Sequence, residues 1–190
     1  KKLFNKFKLD LNKKTILITF HPETISKLNY ENQIKYFLNS FSKLNNLNLV
    51  FTSANSDPGG YYFNKKIKVF IKDKNNSYFF PNLGGALYSS FLKHSDLIIG
   101  NSSSAIIEAP SFNNYILNVG KRQDGRQKNN LIYDCDLNTQ KINKKINFLL
   151  NKKRKKIKNP FYKKNSIKLI SKKLSNIAKI KKINLKFFYD

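Results

Sequence analysis

The 190-residue chain carries 37 basic and 11 acidic residues, a formal charge of +26, and every basic residue except Arg122, Arg126 and Arg154 is Lys. With 40% hydrophobic and 14% aromatic residues it can bury a core large enough to offset the entropy of ordering, which excludes a disordered tail. The lone Cys135 excludes a disulfide framework, His21 and His94 with so few Glu argue against a metal site, and no apolar run nears the ~20 residues of a membrane span.

Taken along the chain, near-continuous apolar runs predict buried strands at residues 15–20 (TILITF), 47–51 (LNLVF), 97–99 (LII) and 115–119 (YILNV). Helical periodicity falls between and after them. Residues 30–44 set Ile34, Phe37, Leu38, Phe41 and Leu44 on one stripe, and 65–72, 86–94, 104–112, 139–150 and 166–177 read the same way. Strands alternating with helices imply parallel crossovers, so the expected fold is α/β, a Rossmann-like parallel sheet with helices on both faces. Residues 1–190 are expected to form one domain whose Lys-rich helical tail, residues 152–190, packs back on it.

The charge invites a nucleic-acid reading, because clustered cations release counterions from phosphate backbones. Its composition weighs against that. Lys is a strongly hydrated point charge, whereas phosphate and base recognition favours the planar Arg fork. The Lys residues are spread through nearly every segment beside abundant Asn, Ile and Phe, a pattern of compositional bias. The densest run, KKRKKIK at 152–158, reads as a solvated helix end or linker. Because the chain has no Met and opens on Lys1, it is expected to be part of a longer protein; the lone Cys135 and the short apolar runs give the expectation that it is cytoplasmic and soluble.

In Rossmann-like folds ligands bind beyond the carboxyl ends of the strands. The first such loop is His21-Pro22-Glu23-Thr24, where an imidazole either donates into the crevice or caps the next helix. The second, residues 52–60, joins small, polar and Gly residues; it reads as a turn or as a close-approach loop whose ligand-facing residue is Asn55. The third is Gly100-Asn101-Ser102-Ser103-Ser104, which delivers three hydroxyls onto a helix start, an anion site. Glu108, four residues beyond Ser104, suits a ribose diol. The fourth, residues 120–126 (GKRQDGR), holds two of the three Arg, retained where bias would have supplied Lys. Together these loops describe a nucleotide-diphosphate pocket.

In this order and spacing, Phe20-His21-Pro22-Glu23-Thr24, Asn55-Ser56-Asp57-Pro58-Gly59, the Ser-rich block running on to Ile107-Glu108-Ala109-Pro110, and Gly120-Lys121-Arg122-Gln123-Asp124-Gly125-Arg126 resemble the hydrolysing UDP-N-acetylglucosamine 2-epimerases. The resemblance implies the C-terminal, UDP-binding half of a two-domain, glycosyltransferase-B-like fold. It implies Ser102, Ser103 and Arg122 on the diphosphate, Glu108 on the ribose, Asn55 on the nucleotide, and Tyr88 against the uracil, with a core-facing Tyr88 as the other reading. His21 would support catalysis from this side of the cleft. The family removes the C2 proton, expels UDP by anti elimination and hydrates the glycal to N-acetylmannosamine for sialic-acid-type sugars. The acid and base carboxylates belong to an N-terminal half absent from this chain, so the chain alone is expected to bind UDP without turnover. The expected partners are UDP-N-acetylglucosamine or UDP and, in the full-length protein, a second copy as a homodimer; no cofactor, metal, nucleic acid or membrane is expected. A glycosyltransferase of the same fold and a basic nucleic-acid-binding domain are the alternatives.

Overall fold

The structure is a computed structural model that describes residues 7–177. Six parallel strands form one sheet: β1 (Lys14–Thr19), β2 (Leu47–Thr52), β3 (Ser77–Phe80), β4 (Leu97–Gly100), β5 (Tyr115–Val119) and β6 (Ile132–Cys135), in the spatial order β3-β2-β1-β4-β5-β6. This is the doubly wound order whose direction reverses between β1 and β4, and a crevice opens at that switch point. Leu17 is paired with Val50 on one side and Ile98 on the other, all fully buried, so the central strands read as near-continuous apolar runs.

The two strands that periodicity did not flag are the edges. All four residues of β3 are half-buried, and β6 carries Asp134 with only Cys135 buried, so neither presents a continuous hydrophobic signal.

The helices are α1 (Tyr30–Asn39), α2 (Gly60–Ile71), α3 (Gly84–His94), α4 (Ser103–Ile107), a 3₁₀ turn (Ala109–Phe112), α5 (Thr139–Leu150) and α6 (Ser166–Ile177). Packing groups α1 with α2 and α5, and α3 with the 3₁₀ turn. Asn29 caps α1 by accepting from the Asn32 N–H at 2.8 Å, and Asn138 caps α5 by accepting from Lys141 at 3.0 Å. Helix α1 ends five residues short of the predicted 44, where the Ser40 hydroxyl donates to the Tyr36 carbonyl at 3.1 Å and the chain continues in single turns. Helix α2 starts at Gly60 rather than 65, behind the left-handed Gly59.

The predicted helix 104–112 is a correction of larger consequence. It splits into α4 and the 3₁₀ turn because Pro110 lacks an N–H and disfavours helical geometry in the residue before it.

The core beneath α1 and α2 is an aromatic stack. Phe20 lies 3.9 Å from Phe37 with rings 10° apart, and Phe37 meets Phe41 edge-on at 5.1 Å, all three fully buried. The run after α5 is the linker of the two expected forms, non-helical and mostly exposed, and it is anchored at three points. Lys152 sits over Tyr115, Tyr133 and Phe148 and donates to the Tyr133 hydroxyl at 2.8 Å, Arg154 donates to the Ser95 carbonyl, and the Ile157 N–H donates to Asn113 at 3.2 Å. These anchors fasten the segment to the sheet domain while Lys153, Lys155, Lys156 and Lys158 stay exposed. The chain divides into two compact units at residue 160, and the second carries α6. Among the described residues no helix is long and apolar enough to cross a membrane.

At the switch point the backbones of β1 and β4 nearly touch. Gly100 adopts φ +137°, and a Cβ there would lie 1.8 Å from the Thr19 carbonyl oxygen. Gly100→Ala is expected to destabilise the domain by about 3 kcal/mol, through overpacking and backbone strain, measured by urea unfolding.

Candidate functional site

The carboxyl ends of β1, β2 and β4 and the start of α3 border an open cleft of about 390 Å³. Its lining includes Thr19, His21, Thr52, Tyr88, Ser102, Ser104 and Glu108. Hydroxyls run across its floor: Thr19 to Thr52 at 2.6 Å, Tyr88 to Ser104 at 2.6 Å, and Ser104 to Ser102 at 2.9 Å. Tyr88 therefore presents its hydroxyl to the cleft rather than to the core. Burial pushes its pKa up, against the opposing hydrogen bond with Ser104, so the hydroxyl is neutral at physiological pH.

His21 joins this cleft to the loops beside it. It is 9% exposed, and its Nδ1 accepts the Asn55 main-chain N–H at 3.0 Å. That bond leaves the proton of the neutral ring on Nε2. Burial, followed by the Arg122 charge, lowers its pKa from 6.5 to about 4 despite the opposing carboxylate of Asp57. His21 is thus a neutral N–H donor at physiological pH, not an imidazolium acid.

Its main chain is clamped by the fully buried Asn101. The Asn101 Oδ1 accepts from the His21 N–H at 2.7 Å, and its Nδ2 donates to the His21 carbonyl at 2.9 Å. The carbonyl of Asn101 in turn accepts from Arg122 Nη1 at 3.3 Å and Gln123 Nε2 at 2.7 Å. Arg122 Nη2 also lies 3.5 Å from Asp57 Oδ2, and the Asn55 side chain donates to the same carboxylate oxygen.

Of the residues singled out by sequence, His21, Tyr88, Ser102 and Glu108 line the cleft. Asn55 and Arg122 lie beside it, linked through His21 and Asp57, and Ser103 opens α4 half-buried outside its lining. Arg126 is exposed. Thr19, Thr52, Asp57 and Asn101 were not given roles; Thr19, Thr52 and Asn101 stand at or just past strand ends, where position at the crevice could have flagged them, and Asp57 lies in the loop after β2. With only five residues in α4, anion attraction there rests on local N–H groups and hydroxyls rather than on a long helix dipole. Among the described residues no group of three or more His, Cys, Asp or Glu could hold a metal ion.

A family model described as UDP-N-acetylglucosamine 2-epimerase matches residues 2–175. The chain belongs to this family. A "GDP/UDP-N,N'-diacetylbacillosamine 2-epimerase (hydrolyzing)" of Campylobacter jejuni is 37% identical over 139 residues, covering 73% of this chain and 36% of the relative. "Polysialic acid biosynthesis protein P7" of Escherichia coli is 30% identical over 196 residues, covering 98% and 50%. The chain therefore spans half or less of the length of these curated relatives. Among solved structures, a UDP complex of MnaA from S. aureus superposes with a TM-score of 0.68 at 21% identity, covering 99% of this chain and 51% of that one. The UDP-GlcNAc 2-epimerase of Methanocaldococcus jannaschii, in complex with UDP-GlcNAc and UDP, gives 0.68 at 18% identity, covering 93% and 49%. The likeness to E. coli ADP-heptose heptosyltransferase II, with a TM-score of 0.54 at 12% identity over 78% of this chain and 50% of that one, extends the shared fold to glycosyltransferases.

The low pKa of His21 fixes the sign of a pH effect. Between about 4 and 6.5 the unfolded chain binds the proton that native His21 refuses, so stability falls as pH drops through that window and is unaffected above it. His21→Gln is expected to remove roughly 1–2 kcal/mol of the difference between unfolding free energies at pH 7 and pH 5. Imidazole ¹⁵N shifts at pH 5.5 are expected to report the neutral, Nε2-protonated ring.

Proposed function

We propose that this chain is the UDP-binding half of a hydrolysing 2-epimerase acting on a UDP-linked 2-acetamido sugar, releasing UDP and the 2-epimeric free sugar. The observation that carries the reading is the convergence of Tyr88, Ser102, Ser104, Glu108 and His21 on one cleft at the switch point. Ser102 and Ser103 are assigned to the diphosphate with the N–H groups at the start of α4. Arg122 takes a diphosphate oxygen, for which its guanidinium is suited by bidentate geometry. Glu108, exposed at the cleft edge, accepts from the ribose hydroxyls, Tyr88 contacts the uracil, and Asn55 approaches the nucleotide from the β2 loop.

In this reaction a base removes the C2 proton as the C1–O bond to the diphosphate breaks, giving UDP and an unsaturated sugar to which water then adds. This chain supplies the leaving-group side. Diphosphate charge grows as that bond breaks, and neutral donors such as the His21 Nε2–H and the serine hydroxyls, together with Arg122, stabilise it without a proton transfer. The carboxylates that act at C2 are assigned to the remaining half of the full-length protein, together with choice of sugar. Sialic-acid-type biosynthesis is the matching pathway, cytoplasmic and carried out by a homodimer.

Calorimetry tests the assignment. Ser102→Ala and Arg122→Lys are each expected to weaken UDP binding by about 1–3 kcal/mol, as loss of hydrogen bonds to a charged group does. Affinity equal to wild type in both variants contradicts it. The 190-residue chain is expected to bind UDP without releasing it from UDP-N-acetylglucosamine, and release by this chain alone would move the C2 chemistry onto residues present here.

A further inference from the structure

Glu23 belongs to the His-Pro-Glu-Thr segment, yet it lies outside the cleft lining and contacts none of the groups assigned to the sugar or the base. Its main chain is held independently of its side chain. The fully buried Gln33 of α1 accepts from the Glu23 N–H at 2.9 Å and donates to the carbonyls of Glu23 at 3.0 Å and Leu28 at 2.8 Å. Tied in this way, the Glu23 carboxylate reaches across the crevice mouth to the loop after β5.

There one oxygen, Oε1, accepts from two successive main-chain N–H groups, Lys121 at 2.8 Å and Arg122 at 3.1 Å. Gly120 makes the approach possible. It is left-handed at φ +83°, and a Cβ on it would lie 2.1 Å from that same oxygen. A left-handed residue followed by converging N–H groups is an anion-binding concavity, and here the protein supplies the anion. The base of Arg122 is thereby fixed to the β1 loop 99 residues away, and its guanidinium extends from there to the Asn101 carbonyl and Asp57.

We infer that Glu23 is a positioning residue, which sets the main chain of Arg122 so that the guanidinium meets the diphosphate preorganised. The anchored main chain removes loop motion that binding would otherwise have to freeze, and the contacts of the guanidinium with the Asn101 carbonyl and Asp57 restrict its rotamers. Both N–H donors are spent on the carboxylate in charge-assisted bonds, so the loop is held by Glu23 and the ligand is left to the Arg122 guanidinium. The inference rests on the reading of Arg122 as a diphosphate residue and names what holds it.

The test is calorimetry of UDP binding to the 190-residue chain, with thermal melts to confirm folding. Glu23→Ala is expected to weaken UDP binding about tenfold, and Arg122→Ala about tenfold or more. In the Arg122→Ala background, Glu23→Ala is expected to cost less than about twofold further, because Glu23 acts through Arg122. A general loss of structure would not give that non-additivity. Glu23→Gln keeps the single accepting oxygen in place and is expected to stay within about threefold of wild type. Glu23→Asp withdraws it by one methylene and is expected to lose about tenfold, so this pair decides the matter should Glu23→Ala not fold.

Glu23→Ala and Glu23→Asp binding as wild type does, or more tightly, overturns the inference, as does full additivity with Arg122→Ala. These outcomes, with UDP binding intact and weakened by Arg122→Ala, leave the nucleotide reading standing. Failure of the wild-type chain to bind UDP removes both.

Discussion

Four loops that never meet in sequence are held in register by side chains that bond main chain. A loop at the carboxyl end of a buried sheet carries N–H and C=O groups that the strand ladder no longer satisfies, and leaving them unpaired would be costly. The buried amides of Asn101 and Gln33 each both donate to and accept from main chain, fixing His21 and Glu23 at two points apiece. The Glu23 carboxylate then fixes the loop after β5, and the Asn101 carbonyl takes the Arg122 and Gln123 side chains. Bonds of this kind hold the loops at fixed points relative to one another, which is what a site for a doubly charged group requires.

The sheet makes the meeting possible. Reversal of strand order between β1 and β4 sends the chain to opposite faces after the two central strands, so their ends part and leave a crevice. The approach of Gly100 to Thr19 lets Asn101 reach back to the β1 loop, and the aromatic stack of Phe20, Phe37 and Phe41 secures α1, which carries Gln33. Apolar packing thus positions the amides, and the amides position the functional groups.

The central strands were legible because burial on both faces writes itself as near-continuous apolar runs, as in residues 15–20 (TILITF) and 97–99 (LII). The edges were not. Strand β6 carries Asp134, whose Oδ1 accepts from Lys128 at 2.7 Å and from Asn118 at 2.7 Å, a half-polar pattern that periodicity cannot separate from a loop. Loop chemistry was legible in its residue types: His21, Tyr88, Ser102 and Glu108 do share a cleft. What did not show was the wiring. Nothing in the spacing of Glu23 and Arg122 reveals that a carboxylate and a main chain 99 residues apart touch, and Pro110 shortened a helix that apolar periodicity had extended. The Arg engaged at the site, Arg122, lies among Lys that are scattered and, among the described residues, mostly exposed.

The most direct measurement is a UDP titration of the ¹⁵N-labelled chain followed by amide chemical shifts. Saturable shifts concentrated at Tyr88, Ser102 to Ser104, Glu108 and Arg122, with Lys152 to Lys158 unmoved, are the expected result. Shifts absent from those residues, or centred on the 152–158 run, would contradict a nucleotide-diphosphate site at the β1–β4 switch point.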